Sequence, residues 1–285
     1  MRYVKKYLTQ FLLVTVVLTG VLLGYVIDSL KPPQLTVAFL DVGQGDAVWI
    51  QAPNGKEVLI DAGQGQSVVQ ALAKQKNFFD RIIDVVLMTH SDTDHIGGIP
   101  SVLERYDVPL VMASEISSPT VTHKTVSRLI KQIPNQVTIR SGERIILDRK
   151  SGVVIDILFP DQNTENWETN EASAVVLVSY GETKFLQTGD APIEVEEFLV
   201  DLYGDQLRSQ VLKLGHHGSN TSSSEKFLET VQPEYAIISA GVGNRYGHPH
   251  DEVIERVESM DIQILETAIM GTIVCQSDRV TVLCK

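Results

Sequence analysis

Cysteine is scarce in this chain of 285 residues: Cys275 and Cys284 are the two, both in TIVCQSDRVTVLC near the C-terminus. If QSDR is the turn of a hairpin, the two do not fall opposite one another, so free thiols are preferred over a disulfide, which stays open as the alternative, and neither cysteine is assigned a chemical role. Basic residues are also in short supply, 24 Lys and Arg against 36 Asp and Glu, for a net charge of −12. That balance excludes broad, salt-driven binding to polyanions and leaves room only for a local basic groove. No repeat array or low-complexity tract occurs. The turn DVGQGD lacks the Lys-Ser/Thr ending of a phosphate-binding loop, so Asp41 and Asp46 are read as braces of the turn.

What is present begins with one long hydrophobic run. After Lys5 and Lys6 comes YLTQFLLVTVVLTGVLLGYVI, followed by Asp28 and the polar junction KPPQ. The run has about the 20 residues needed to cross a bilayer core, so residues 1–33 are expected to be a single transmembrane helix with a short linker. The cationic flank places the N-terminus in the cytoplasm and the body, residues 34–285, on the outer face. The alternative is a cleaved secretory signal, which also takes the body out of the cytoplasm.

The chain as a whole is 43% apolar, enough for a substantial core. Short β-branched runs alternate with turns and amphipathic stretches. APNG joins two strand-like runs as a hairpin, IIDVVLMTH reads as a buried strand ending at His90, and AVVLVSY pairs with TKFLQTGD. SVVQALAKQ, TVSRLIKQI, IEVEEFLVDLY and DEVIERVESM read as helices, and Ser222 with Glu225 has capping-box spacing. The pattern is mixed α/β, and its two strand-rich halves favour two packed sheets with helices outside.

Histidine is also uncommon, with seven in the chain, and its placement is informative. Of the seven, six fall in three short loops, HSDTDH, GHHG and GHPH, each after an apolar strand. Imidazoles and carboxylates converging at strand ends are the usual first shell of Zn2+, Mn2+ or Fe. In HSDTDHIGG, His90 and Asp92 point to one side of a still-extended chain, and the next turn brings Asp94 and His95 to a neighbouring point. Gathering carboxylates behind a buried strand with no cation to compensate them is costly, which argues against a plain solvated loop. His123, outside these loops, is read as an ordinary surface residue, and His250 as a residue that helps open a helix.

HSDTDHIGG resembles the signature of the metallo-β-lactamase fold hydrolases, with Asp92 where the usual motif has a histidine. With FLDVGQGDAV, FLQTGD, LKLGHHGSNTSSS and NRYGHPH, the stretch from residue 35 to 285 looks most like the hydrolase domain of the ComEC-type competence proteins, which take up DNA. The resemblance implies a four-layer αββα sandwich holding one or two Zn2+ or Mn2+ ions per chain. It implies His90 and Asp92 on one metal, Asp94 and His95 on the second, Asp190 bridging, and His216 or His217, with His216 favoured, as the last ligand. The usual third histidine of the first site is absent, and Asn170 and Asp161 are the nearest polar candidates.

The activity expected is hydrolysis of a phosphoester, foremost a phosphodiester such as single-stranded DNA, by a metal-activated water. Asp94 and Asp190 position the metals and that water, and His248 stabilises the leaving oxygen. His217, Ser219, Asn244 and His248 are expected to contact substrate. With one hydrophobic segment the chain forms no channel, so a role in DNA uptake calls for a channel partner. Two other readings stand beside this one: a hydrolase of small or cell-surface phosphoesters of the phosphorylcholine or nucleotide type, and a membrane-anchored binding protein without chemistry.

Overall fold

In a computed structural model of the chain, residues 2–29, 33–114 and 118–285 are described. The chain divides into two units, residues 1–33 and residues 34–285. The first is the helix Arg2–Ser29, in which the described side chains, those of Tyr7 and residues 10–24, are exposed all round. Among the described residues no helix is long and apolar enough to cross a membrane, so the expected membrane-spanning segment is not supported.

The second unit is built on two sheets. Strands β1 (Leu35–Phe39), β2 (Val48–Gln51), β3 (Glu57–Ile60), β4 (Val85–Met88), β5 (Leu110–Ala113) and β6 (Asn135–Thr138) come first along the chain. Strands β7 (Arg144–Asp148), β8 (Val153–Phe159), β9 (Val175–Tyr180), β10 (Thr183–Gln187), β11 (Val211–Lys213), β12 (Tyr235–Ile238) and β13 (Gln263–Glu266) follow, then β14 (Ile273–Ser277) and β15 (Val282–Cys284). Among the described residues one sheet runs β15-β14-β1-β2-β3-β4-β5-β6 and the other β13-β12-β11-β10-β9-β8-β7.

Three apolar clusters show why the strands lack a polar face. Val37, Phe39, Val85 and Leu87 point between the sheets and meet Ile155, Val178, Phe185 and Val211 of the other sheet. Their neighbours Ala38, Val86 and Met88 point outward and pack under the helices Ser67–Gln75, Ile99–Arg105 and Val121–Ile130. On the far side Leu186, Leu212 and Ile238 pack under Ile193–Tyr203, Glu225–Val231 and Asp251–Ser259. Because successive side chains alternate between faces and both faces are covered, central strands such as β4 (VVLM) are apolar throughout, whereas the edge strand β6 (NQVT) is exposed. Each fully buried Leu, Ile, Val or Phe contributes about 1.5–3 kcal/mol to this four-layer packing.

Two local expectations are corrected. Cys275 and Cys284 are register partners in the antiparallel pair β14–β15 and form a disulfide. The turn is Asp278–Thr281, where Asp278 Oδ1 accepts the backbone N–H groups of Val280 and Thr281, so it lies further along the chain than QSDR. The helix after the GHHG loop is capped by Ser224, whose Oγ accepts the N–H of Phe227, while Ser222 Oγ donates to the Ala191 carbonyl.

Candidate metal centre

The histidine and aspartate motifs all leave the same ends of their strands. His90 follows β4, and Asp94 and His95 sit in the one-turn helix Thr93–Ile96 behind it. Asp190 follows β10, and His216 and His217 follow β11 in a tight turn, at φ 48° and 58°. Loop 40–47, after β1, closes over this point. Gly45 adopts φ +118°, and a Cβ there would stand 1.9 Å from the Asp94 carbonyl oxygen, which is why DVGQGD needs glycine against the HSDTDH turn. The Asp46 N–H bonds that same carbonyl at 3.2 Å.

Three imidazoles converge on one oxygen. Asp190 Oδ2 lies 3.3 Å from His95 Nε2, 3.4 Å from His217 Nε2 and 3.8 Å from His90 Nε2, and all three Nε2 atoms are buried with no hydrogen-bond partner among the described residues. Asp94 Oδ2 lies 3.4 Å from His217 Nε2, and Asp92 Oδ2 lies 3.9 Å from His90 Nε2. Two atoms that each bind an ion at about 2.1 Å in tetrahedral array stand about 3.4 Å apart. The pairs His95–Asp190, His217–Asp190 and His217–Asp94 have that spacing; the His90–Asp190 and His90–Asp92 pairs are set slightly wider.

The opposite ring nitrogens are occupied, which fixes the Nε2 lone pairs toward the centre. His95 Nδ1 bonds Asp61 Oδ2 at 2.7 Å, and His217 Nδ1 donates to the Ser239 carbonyl at 2.8 Å. His90 Nδ1 meets the hydroxyls of Thr89 and Ser173, each at 3.0 Å. Asp46 also gathers near His95 and His217, as Asp61 does near His90 and His95. Both carboxylates lie on the Nδ1 side, however, so they orient ligands and do not join the donor set.

Beneath Asp190 lies Lys213, buried at 1% exposure, paired with Asp46 Oδ2 and donating to the Gly189 carbonyl at 2.9 Å. Burial opposes charge on these groups, but mutual attraction wins. It raises Lys213 above its ordinary value and holds Asp46 below its own. Asp190 is likewise held well below the carboxylate range by His217 and His95 against the cost of burial. Burial opposes the charged forms of His95 and His217 too; Asp190, with Asp61 for the first and Asp46 and Asp94 for the second, outweighs it, raising His95 well above 6.5 and His217 to about 9. Burial and the adjacent His95 lower His90 to about 3. A centre that draws protons onto two imidazoles has the field to attract a divalent cation in their place.

The metallo-beta-lactamase superfamily pattern matches residues 40–242, which hold every donor just described. The chain belongs to the metallo-beta-lactamase superfamily. It is 32% identical over 268 residues to "Competence protein ComA" of Neisseria gonorrhoeae, covering 90% of this chain and 34% of that protein. To "ComE operon protein 3" of Bacillus subtilis it is 29% identical over 257 residues, covering 83% of this chain and 32% of that protein. The chain therefore spans about a third of the length of these curated relatives. The metallo-beta-lactamase fold protein YhfI from Bacillus subtilis superposes with a TM-score of 0.55 at 10% identity, over 87% of this chain and all of that one, which shows the fold.

Within this metallo-beta-lactamase chain, His90, Asp92, Asp94, His95 and Asp190 are brought together, and of the two adjacent histidines it is His217 that turns its Nε2 into the cluster. His217, assigned to substrate, supplies the inward Nε2. His216 keeps Nε2 4.0 Å from Asp190 Oδ2, is 27% exposed and bonds Thr221 Oγ1 through Nδ1. Ser219 is buried, and its Oγ accepts from the Thr221 N–H and hydroxyl. Asn244 spends its side chain on its own loop: its Oδ1 accepts the N–H groups of Tyr246 and His248, and its Nδ2 donates to the Gly241 and His248 carbonyls. It shapes the loop that carries His248. That histidine is half-buried, with a ring centroid 5.2 Å from that of His216, and burial plus its histidine neighbours lower it to about 4.

Of the candidates for a further ligand, Asn170 has a buried Oδ1 with no partner among the described residues and lies beside Thr169, which bonds Asp92. Asp161 instead lines a groove with Phe159, Trp167 and Glu171. His123 is not a plain surface residue: with His90, Ser91 and Ser127 it lines a cavity of about 240 Å3. Lys213, Asp61 and Ser173 were missed by sequence reasoning. The signal for Lys213 was a lysine inside the otherwise apolar VLKLG, three residues before the paired histidines.

Proposed function

We propose that the chain is a metal-dependent phosphodiesterase that hydrolyses DNA, with Zn2+ or Mn2+, one or two ions per chain, held by Asp94, His95, Asp190 and His217 and, more loosely, by His90 and Asp92. The observation that carries this reading is the ion-sized spacing of the unpartnered Nε2 atoms of His95 and His217 around Asp190 Oδ2. A bound divalent ion supplies Lewis acidity toward phosphoryl oxygens and a nucleophilic water at neutral pH. Asp61 and Ser239 hold the imidazoles in the tautomer that presents Nε2. His248, neutral and poised over His216, donates a hydrogen bond to the departing oxygen. The similarity to competence proteins favours DNA as substrate, and a channel-forming partner would complete a role in uptake.

We propose further that the body works outside the cytoplasm. The Cys275–Cys284 disulfide favours that side. Protease added to intact cells should degrade the body if this is so.

The deciding experiment is metal content of the purified chain measured with turnover of a single-stranded oligodeoxynucleotide and of bis(p-nitrophenyl) phosphate. Metal with cleavage of both supports the reading. Turnover of small esters with DNA untouched would replace it by a small-ester hydrolase. Absence of metal and of all turnover would leave a binding protein.

A further inference from the structure

Loop 239–250 carries an element that the metal chemistry does not use. The Tyr246 ring stacks on His248, with centroids 5.7 Å apart and planes inclined by 21°, and His248 in turn lies 6.3 Å from His217 of the metal centre. Arg245 caps this row: its Cζ stands 4.7 Å from the Tyr246 centroid, and its Nη2 donates to the Tyr246 hydroxyl at 2.5 Å. Tyr246 is nevertheless 49% exposed and Arg245 is exposed. Neither is held by burial. Asn244 Oδ1 holds the backbone on both sides of Gly247, through the N–H groups of Tyr246 and His248, each at 3.1 Å. An exposed aromatic ring, an exposed guanidinium and a rigid backbone thus run outward from the metal centre in a chain whose net charge of −12 repels polyanions elsewhere.

We propose that Arg245 and Tyr246 form the subsite for the nucleotide next to the scissile phosphodiester of single-stranded DNA. The edge of the guanidinium takes the flanking phosphate, and its plane, backed by the Tyr246 ring, takes the face of an unpaired base. Guanidinium and phenol planes both stack bases without sequence preference, and a guanidinium suits a phosphate oxygen pair. A base within a duplex cannot offer its face, so the subsite selects single strands. This inference rests on the phosphodiesterase reading and adds to it the feature that distinguishes a DNA strand from a small ester.

The test is binding of the full chain to fluorescein-labelled oligothymidylate, and to the same oligomer carrying abasic sites, followed by anisotropy across a salt series. Wild type should bind oligothymidylate roughly 5- to 150-fold tighter than the abasic strand, the range for one stacked base. Tyr246→Ala should lose that difference, and Tyr246→Phe, which keeps the ring, should restore most of it. Arg245→Ala should lower the slope of log affinity against log salt by about 0.7, one phosphate contact on a single strand. Thermal midpoints of the variants establish that they fold. If wild type binds both strands alike, or the two alanine variants behave as wild type while DNA is still bound and cleaved, this inference fails and the phosphodiesterase reading stands. If wild type neither binds nor cleaves DNA, the DNA reading and the subsite fall together.

Discussion

Lys213 Nζ stands 3.6 Å from Asp190 Oδ1, while the other oxygen of the same carboxylate faces the imidazoles. Asp190 is thus shared between a fixed ammonium behind it and the donor cluster before it. With Asp46 also paired to Lys213, one lysine balances two buried carboxylates.

Removing that ammonium should be costly. Lys213→Met leaves Asp46 and Asp190 buried without their cation, and stability should fall by about 3–5 kcal/mol in denaturant titrations. Adding Asp46→Asn to Lys213→Met should recover part of the loss, because one uncompensated charge is removed. A change below 1 kcal/mol in the single variant, on the order of an exposed ion pair, would show that the pairing has been misjudged.

The two adjacent histidines should behave differently. His217→Ala should lower the affinity for Zn2+ or Mn2+ by well over the 10- to 100-fold typical of lost outer-shell partners, whereas His216→Ala should retain tightly held metal. Metal analysis after dialysis separates the two. Adding the ion at about 100 times its dissociation constant should stabilise wild type by about 2.7 kcal/mol, and chelation should reverse both this gain and the hydrolysis. Equal metal content in the two variants would return His216 to the ligand set.

Glu196 gives a pH signature away from the metal. It is fully buried, its carboxylate accepts the N–H groups of Ser223 and Ser224, and burial raises it from 4.5 to about 7 against those bonds. The folded chain therefore holds this proton more tightly than the unfolded chain. Its stabilising contribution is complete below about pH 4.5 and is lost as pH rises through 7, by about 3 kcal/mol in all. Glu196→Gln cannot titrate, so its thermal midpoint relative to wild type should climb between pH 5 and 8. A pH-independent difference between the two would refute the shift.

The disulfide should be worth a similar amount. Closing the short loop between Cys275 and Cys284 restricts the unfolded chain, and Cys275→Ser with Cys284→Ser should cost about 2–3 kcal/mol. Reductant should lower the midpoint of wild type and leave the double variant unmoved.

The sheets and the ligand-bearing loops were legible because their causes are local. A strand covered on both faces reads as an unbroken apolar run, and a backbone bending toward a site reads as Gly, Asp and His after it. The choice between His216 and His217 was not legible. Both residues adopt left-handed conformations, and which imidazole then faces inward depends on the turn as a whole. Lys213 was missed because its burial depends on Asp46, contributed by a loop remote in sequence. The cysteine register turned on where Asp278 nucleates the turn, a displacement that composition does not reveal.

The donors are divided between the two halves of the sandwich. His90, Asp92, Asp94 and His95 hang from the edge of one sheet, and Asp190 and His217 from the facing edge of the other. Neither half alone owns a complete set of donors. An ion seated there would act as a clasp across the open rim, so slippage of one sheet over the other would dismantle the centre before it unravelled either sheet. Ion retention then becomes a gauge of how faithfully the halves are aligned.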